Sequence, residues 1–437
     1  MQGGTDAAVD SQNISLIVDS GFCTGCGTCI AICPMSAIQL VMDEKQLIYS
    51  PSVNSAKCNH CGLCVRVCGG AVVDFEELGK EIFGDEPVSH SVLLGDFVGC
   101  YYGHSEDYGI RVNSSSGGMV TQLLTFALEE GLIDGALVSK MQEDNPLEPM
   151  PFVARSAQEI NEASKSKYCP VPANMALDDI LRNRGKYAVV GLPCHIHALR
   201  KAEKISRVLK ERIVLHFGLF CSHTDSFLQT DYLLSNLGIS RQDVCRLDYR
   251  GNGWPGTTEI ELKTGKMFQL PFLELGKLHQ SGFFIPERCL LCCDHCAELA
   301  DISFGDAWLP QFVTDKLGTS LVISRIRASE ELLMIAASKG IIRLKKIDAL
   351  DVARSQGMVR FKKNGFEARS DLFRLCGRRV PIYKTKLCRS DMIDWIRSIL
   401  VMFNRHLGLK RIWGINGIIK VEEELAYLVT RQRKLFE

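Results

Sequence analysis

Apolar and polar positions change texture several times along this chain. From residue 113 the run NSSSGGMVTQLLTFALEEG opens with small polar residues. It then sets Val120, Leu123, Leu124 and Leu128 at helical spacing, which predicts a helix that stops at Gly131. The following DGALVSK predicts a strand. Ser156 and Glu159 carry the capping-box pattern of another short helix. KYAVVGLPC and RIVLHFGLFC are apolar strand-like runs that each lead into a helical pattern, HIHALRKAEK after the first. Strand alternating with helix predicts an α/β layer with a mostly parallel sheet. TTEIELKTGKMFQLP alternates on both sides of Thr264 and Gly265 and predicts a β-hairpin. ADISFGDAW and SLVISRIR predict two further strands.

These textures divide the chain. Residues 15–75 are short-period and dense in cysteine, 76–95 are polar without a clear period and predict a linker, and 96–350 hold the α/β pattern. Residues 351–437 predict a helical, basic C-terminal region, amphipathic over MIDWIRSILVMFNRHLGLKRIWGINGIIK. That stretch reads as a packed helix with a solvated face, or as a surface for an acidic partner or an anionic membrane face.

Composition narrows the chemistry. With 46% hydrophobic residues over 437 positions the chain is globular. Equal numbers of acidic and basic residues, 51 each, argue against nucleic acid as a partner. The balance is uneven, since the residues from Arg378 onward carry 13 Lys and Arg against 6 Asp and Glu. MQGGTDAAVDSQNISL has neither the basic nor the apolar segment of an export signal. No run approaches the roughly 18 apolar residues of a membrane span. A cytoplasmic, reducing location is expected, where structural disulfides are rare. Nineteen cysteines in such a compartment point to metal or redox chemistry.

Two cysteine runs are near copies. Cys23, Cys26, Cys29 and Cys33 follow the spacing x2-x2-x3 before Pro34, and Cys58, Cys61, Cys64 and Cys68 repeat it before Gly69. A tight loop wraps three corners of an iron–sulfur cube, and in two-cluster ferredoxins the fourth thiolate comes from the other run. Cys23, Cys26, Cys29 and Cys68 are therefore expected to hold one 4Fe-4S cluster, and Cys58, Cys61, Cys64 and Cys33 the other. Zinc knuckles show separated C-x2-C pairs instead of triplets. Residues 15–75 resemble bacterial-type dicluster ferredoxins.

A third site follows from strand ends. Cys194 and Cys221 each stand where a strand-like run stops, and ligands of open α/β sheets bind beyond the carboxyl ends of strands. CLLCCDHCAELADISFGDAW adds Cys289 and Cys292. Four such thiolates suit a third cube or a tetrahedral zinc, and Cys296 could replace one of them. Cys100, Cys169, Cys245, Cys293, Cys296, Cys376 and Cys388 are left as structural thiols.

The 113–118 loop opens a helix, so its backbone N–H groups and serines suit a phosphate; Ser114, Ser115, Ser116, Gly117 and Gly118 are its candidates. Clusters carry single electrons while organic substrates take pairs, and a flavin joins the two regimes. GNGWPG, 251–256, matches a dinucleotide fingerprint in letters only, because a strand pattern follows where a helix is required. His195, His197, His216, His223 and Asp306 lie in suggestive segments, without a secure acid or base among them.

RVNSSSGGMVTQLL, SKYCPVPAN, VVGLPCHIHALR, HFGLFCSH, YRGNGWPG and CLLCCDHCAELADISFGDAW together resemble the deazaflavin coenzyme hydrogenase/dehydrogenase beta-subunit family over about residues 95–350. The resemblance implies FAD near Ser115, Ser116, Gly117 and Gly118, with Lys167 of SKY nearby. It likewise implies a cluster at Cys194, Cys221, Cys289 and Cys292. The expected fold is an α+β ferredoxin-like dicluster domain, then an α/β flavoprotein domain with a mostly parallel sheet and a helical C-terminal tail. The expected function is an iron–sulfur flavoprotein oxidoreductase passing electrons between 4Fe-4S clusters and FAD. Its substrate would be a deazaflavin coenzyme or another conjugated organic molecule, and a redox partner protein would exchange electrons with it. The alternative is a non-catalytic electron-transfer subunit of a larger complex.

Overall fold

The computed structural model describes residues 13–84 and 89–411. Its N-terminal module is built on the cysteine loops. Each triplet runs into a one-turn helix, Thr28–Ala31 or Leu63–Arg66, and the strands Ile38–Asp43 and Ile48–Val53 pair antiparallel between them. Gly27 enters its helix at φ 86°, and a Cβ there would stand 2.6 Å from Met175 Cγ. That glycine serves both a left-handed turn and close docking on the following domain.

The second domain centres on an eight-stranded sheet. In chain order its strands are β1 Gly99–Ser105, β2 Gly135–Met141, β3 Pro149–Ala154, β4 Tyr187–Gly191, β5 Ile213–Leu219, β6 Ile302–Asp306, β7 Ser320–Ser324 and β8 Ile342–Lys346. Across the sheet they lie in the order β8, β1, β7, β6, β5, β4, β2, β3. Only the central pairs β2–β4, β4–β5 and β5–β6 are parallel. The pairs β6–β7, β7–β1, β1–β8 and β2–β3 are antiparallel. The expected mostly parallel sheet is therefore corrected to a mixed one. Parallel neighbours need a long crossover. The helices Pro193–Ile205 and Arg207–Arg212 supply one between β4 and β5, whereas β6 and β7 are joined by a loop whose one short 3-10 turn is Pro310–Phe312.

The helix Met119–Glu129 forms as its apolar spacing predicts and ends before Gly131, which takes φ 68°. It buries Met119, Leu123 and Phe126 on one face of the sheet with Ile302 and Val322. The opposite face packs Leu137, Val189 and Leu199 against Val67, Val73, Phe75 and Leu78. The cysteine-rich module thus shares a core with the sheet. The 76–95 stretch expected as a linker contributes to that core. It carries most of the helix Phe75–Phe83, whose Asp74 cap accepts the Glu77 N–H at 2.9 Å, and the short antiparallel pair Ser89–Ser91 and Gly95–Phe97.

The predicted hairpin is present as Thr257–Leu262 with Met267–Pro271. The strand Val244–Gly251 leads through GNGWPG into Thr257–Leu262, so no helix follows that motif. The C-terminal region wraps back over the module, since Ile382–Lys384 pairs in parallel with Val72–Asp74. The helix Met392–Leu409 then packs by its small and polar side, burying Asp394, Ser398, Asn404 and Gly408. Its apolar stripe Met392, Ile396, Ile399 and Phe403 stays exposed. The basic tail beyond residue 411, part of the amphipathic stretch expected from the sequence, lies outside the described residues.

Candidate redox centre

The outer cysteine set lines one cavity: Cys33, Cys58, Cys61 and Cys64. The middle set joins the first triplet to the second run, because Cys23 interacts electrostatically with Cys68 and Cys26, and Cys29 with Cys26, Cys23 and Cys68. Each triplet therefore meets the fourth cysteine of the other run. Backbone N–H groups are aimed at the sulfurs, Gly25 to Cys23 at 3.3 Å, Gly70 to Cys68 at 3.2 Å and Ala37 to Cys33 at 3.4 Å. Burial, with Cys68 nearby, pushes the Cys23 thiol up to about 12. A free Cys23 thiol stays protonated, and a bound cation would make it a thiolate.

The inner set forms at the strand ends. β4 and β5 are parallel neighbours; Cys194 stands in the first turn of the helix after β4, and Cys221 two residues beyond β5. Cys194 interacts with Cys221, Cys289 and Cys292, and also with Cys26 of the middle set. Cys29 in turn interacts with Cys64 of the outer set. The three sets are contiguous in the order outer, middle, inner. Of the twelve cysteines in these sets Cys61, in the outer one, is exposed, and those of the middle and inner sets are half-buried or buried. Burial pushes the Cys221 thiol up to about 12 against the pull of Lys362. Cys296 packs instead with Leu94, Cys100 and Leu321, and Cys293 with Val67 and Leu299. Cys245 and Cys376 are exposed thiols.

Zinc binds sulfur at about 2.3 Å, which draws four sulfurs close together. Among the described residues, the group whose donor atoms all lie within 4.8 Å of one another is His223, Asp225 and His279. No cysteine of the described residues belongs to such a group. In the histidine group the two rings stack at 3.8 Å and 16°. His279 Nδ1 lies 2.5 Å from Asp225 Oδ2, and His223 Nε2 3.4 Å from Oδ1. Stacked rings sharing one carboxylate do not converge on an ion. Burial raises the Asp225 carboxyl, but His279 and His223 outweigh it and bring it to about 2.

The other sequence candidates take structural partners. His195 Nδ1 accepts the Leu192 N–H at 3.2 Å, and His197 Nε2 meets Asp294 at 2.8 Å. His216 sits between Asp301 and Glu203. Asp306 pairs with the buried Arg250 at 2.6 Å. In the serine loop, Ser114 Oγ donates to the Ile110 carbonyl at 2.7 Å, and Ser116 Oγ to that of Thr319 at 2.9 Å. Gly117 N–H donates to Ser320 Oγ at 3.0 Å, while Ser115 Oγ accepts from the Ser166 N–H at 2.8 Å. Gly118 takes φ 74° as the N-cap. Lys167 Nζ donates to the carbonyls of Ala163, Ser164 and Lys165 at 2.6–2.9 Å. Burial brings its ammonium down to about 8.

Sequence reasoning missed the cations around the inner set. Arg288 is buried and donates to the carbonyls of Phe22, Gly70 and Leu291 at 2.8–3.2 Å, which ties the middle loops to the inner segment. Lys362 reaches Cys292 Sγ at 3.3 Å. The visible signal was FKKNGF, two lysines inside a helix that buries Val359 and Phe361. Trp254 is also adjacent to the serine loop, since a Cβ on Gly318 would stand 2.9 Å from Ser116 and 3.0 Å from Trp254. Trp254 Nε1 and Arg250 Nη2 are buried without a hydrogen-bond partner.

A ferredoxin-like module whose cysteine sets continue into a third, buried set on an α/β sheet defines an electron-transferring iron–sulfur oxidoreductase. The comparisons agree. Residues 22–71 match the 4Fe-4S dicluster domain and 100–178 the "Coenzyme F420 hydrogenase/dehydrogenase, beta subunit N-term". Residues 184–349 match the C terminus of the same coenzyme F420 hydrogenase/dehydrogenase beta subunit. The chain belongs to the coenzyme F420 hydrogenase/dehydrogenase beta-subunit family, with a dicluster domain ahead of it. It is 30% identical to "Coenzyme F420 hydrogenase subunit beta" of Methanothermobacter thermautotrophicus, over 59% of this chain and 87% of that one. It is 28% identical to "Coenzyme F420-dependent sulfite reductase" of Methanocaldococcus jannaschii, over 79% of this chain and half (50%) of that one. Among solved structures, the F420-reducing [NiFe] hydrogenase complex from Methanosarcina barkeri contains a chain that aligns at TM-score 0.54 and 25% identity, over 67% of this chain and 98% of that one. No described helix is long and apolar enough to cross a membrane.

Proposed function

We propose that this chain carries electrons between a redox partner protein and FAD, and that the flavin exchanges hydride with a deazaflavin coenzyme or another conjugated organic substrate. The observation that carries the reading is contiguity: Cys29 beside Cys64, and Cys26 beside Cys194. Cys33, Cys58, Cys61 and Cys64 would hold the outer 4Fe-4S cluster, and Cys23, Cys26, Cys29 and Cys68 the middle one. Cys194, Cys221, Cys289 and Cys292 would hold the inner one. When bound, such clusters supply one-electron transfer and a flavin supplies the step to electron pairs.

The flavin reading is supported by the serine loop and its neighbours. The first N–H groups of the helix Met119–Glu129 have no acceptor within that helix, and they suit a phosphate together with Ser115. Trp254 Nε1 and Arg250 Nη2 offer further donors that the protein leaves unsatisfied. The proposed division is a dicluster domain at 15–75, a connecting stretch at 76–95, a flavin-binding domain at 96–350 and a C-terminal region at 351–437.

Anaerobic purification followed by iron, sulfide, zinc and flavin analysis tests the reading. The expected result is about twelve irons and one FAD per chain. Zinc in place of iron would overturn it. A second reading, an electron-transfer subunit without a substrate of its own, is favoured by the exposed stripe on the helix Met392–Leu409, a face suited to a protein partner. Full iron with no flavin, even after reconstitution with FAD, would select that reading.

A further inference from the structure

Lys362 and Lys363 are adjacent, and both are buried. A buried ammonium needs compensation, and the two find it differently. Lys363 pairs with the Glu298 carboxylate at 2.5 Å. Lys362 has no carboxylate within ion-pair distance among the described residues. Its Nζ donates to the Asp294 carbonyl at 2.9 Å and to Cys292 Sγ at 3.3 Å. It interacts electrostatically with Cys221 and Cys289 as well.

The other cations nearby are occupied. Arg288 spends its donors on three carbonyls and on the Tyr383 hydroxyl, at 2.7 Å for the last. Arg369 donates to the carbonyls of Leu290 and Phe361 at 2.5 and 2.8 Å. Among the described residues, Lys362 is the cation that makes a hydrogen bond to a cysteine sulfur. It also lies beyond the 184–349 stretch that matches the family's C-terminal domain.

We propose that Lys362 sets the potential of the inner cluster, raising it above the value the four thiolates alone would give. The inference rests on the reading that Cys194, Cys221, Cys289 and Cys292 hold a 4Fe-4S cluster. One-electron reduction of such a cluster, with the electron drawn from the middle one, adds one negative charge and moves no bond. A fixed ammonium hydrogen-bonded to a ligand sulfur stabilises the reduced form more than the oxidised form, which raises the potential. The buried position keeps water from screening that charge.

The test is an anaerobic redox titration of the full chain followed by electron paramagnetic resonance, with iron counted for every sample. The variants are Lys362→Gln and Lys362→Arg. In native protein with about twelve irons, three one-electron reductions are expected. Lys362→Gln should move one of them to lower potential, a fall of about tenfold in its reduction equilibrium constant, and leave two unchanged. Lys362→Arg should keep all three near native. Loss of one cluster in Lys362→Gln but not in Lys362→Arg would overturn the proposal, because it gives the side chain a part in holding the cluster in place of tuning it.

Three unchanged reductions in a fully loaded Lys362→Gln would overturn the proposal. Equal shifts, or equal cluster loss, in both variants would do the same by making packing the cause. Eight irons in the native protein would instead remove the inner cluster, and the proposal with it.

Discussion

At the scale of single residues, the ion network behind β5 shows what burial demands. His216 Nδ1 lies 2.9 Å from Asp301 and its Nε2 2.6 Å from Glu203, while Arg200 reaches Asp301 at 2.5 Å and Glu203 at 3.3 Å. Asp301 also accepts the His216 backbone N–H at 2.8 Å, which ties the start of β6 to β5. Burial pushes the Asp301 carboxyl up, but Arg200 and His216 outweigh it and hold it below the usual range. Glu203 is likewise held low, burial being outweighed by His216 and Arg200. His216 is held high, because the two carboxylates outweigh both burial and Arg200.

The signs fix the pH window. The carboxylates stabilise the fold above their unfolded pKa values, about 4, and lose that contribution as pH falls through their lower folded values. His216 contributes fully below about 6.5 and loses its share as pH rises through its raised folded value. The stability of the network is therefore greatest between these limits. Asp301→Asn should cost about 3–5 kcal/mol in denaturant unfolding at neutral pH and flatten the acid limb of the stability profile. A profile that keeps its native acid limb would show that the network does not control it. Two cysteine variants separate the inner set from its neighbours. Cys194→Ser should lose about four irons of twelve, while Cys293→Ala should lose none.

At the scale of elements, the helix Met392–Leu409 is packed in the reverse of the usual sense. Its small and polar residues face the protein beside Val401, Met402, Leu407 and Leu409, with Asn404 Nδ2 donating to the Ser281 carbonyl at 2.9 Å. Gly408 lies so close to the Phe283 carbonyl that a Cβ would overlap it. Gly408→Ala should cost about 1–3 kcal/mol through overpacking, read as earlier proteolytic cleavage near this helix. On the outer face, Ile396→Ser with Phe403→Ser should leave iron content and unfolding midpoint unchanged, because both side chains are already exposed. If the stripe is a partner surface, that double variant elutes from size exclusion as free chain where the native protein elutes in complex. Native-like co-elution would remove the stripe from the interface.

At the scale of the whole molecule, the cysteine-rich module is a built-in part of the domain that follows it. Val67, Val73, Phe75 and Leu78 share one core with β2, β4 and the helix Pro193–Ile205. Arg288 and the Val72–Asp74 pairing with Ile382–Lys384 close the same junction from the other side. A rigid junction holds the sets at fixed separation, which electron transfer between them requires. The exposed outer set gives an order of loss. Brief contact with oxygen and a chelator should release the outer irons first, because Cys61 is exposed while the cysteines of the middle and inner sets are half-buried or buried. Iron counts following chelation should fall in steps of about four. Simultaneous loss from all three sets would show that the clusters share one fate.

The sequence by itself determined whatever depends on short spacing. The two cysteine triplets, the helix from Met119, the turn at Gly265 and the strand after GNGWPG were legible because each is fixed by residues a few positions apart. The meeting of Cys194 with Cys221 was legible one step further, since adjacent parallel strands bring their ends together. Only the tertiary structure decided the rest. β6 and β7 pair antiparallel because of the path of a loop, and the helix Phe75–Phe83 is set by the core that Phe75 and Leu78 enter. Lys167 turns inward because carbonyls stand within its reach. Lys362 meets Cys292 across 70 positions, and Asp225 meets His279 across 54. Such contacts leave no local periodicity, because burial and charge compensation are set by what the folded chain places alongside, not by what precedes or follows in sequence.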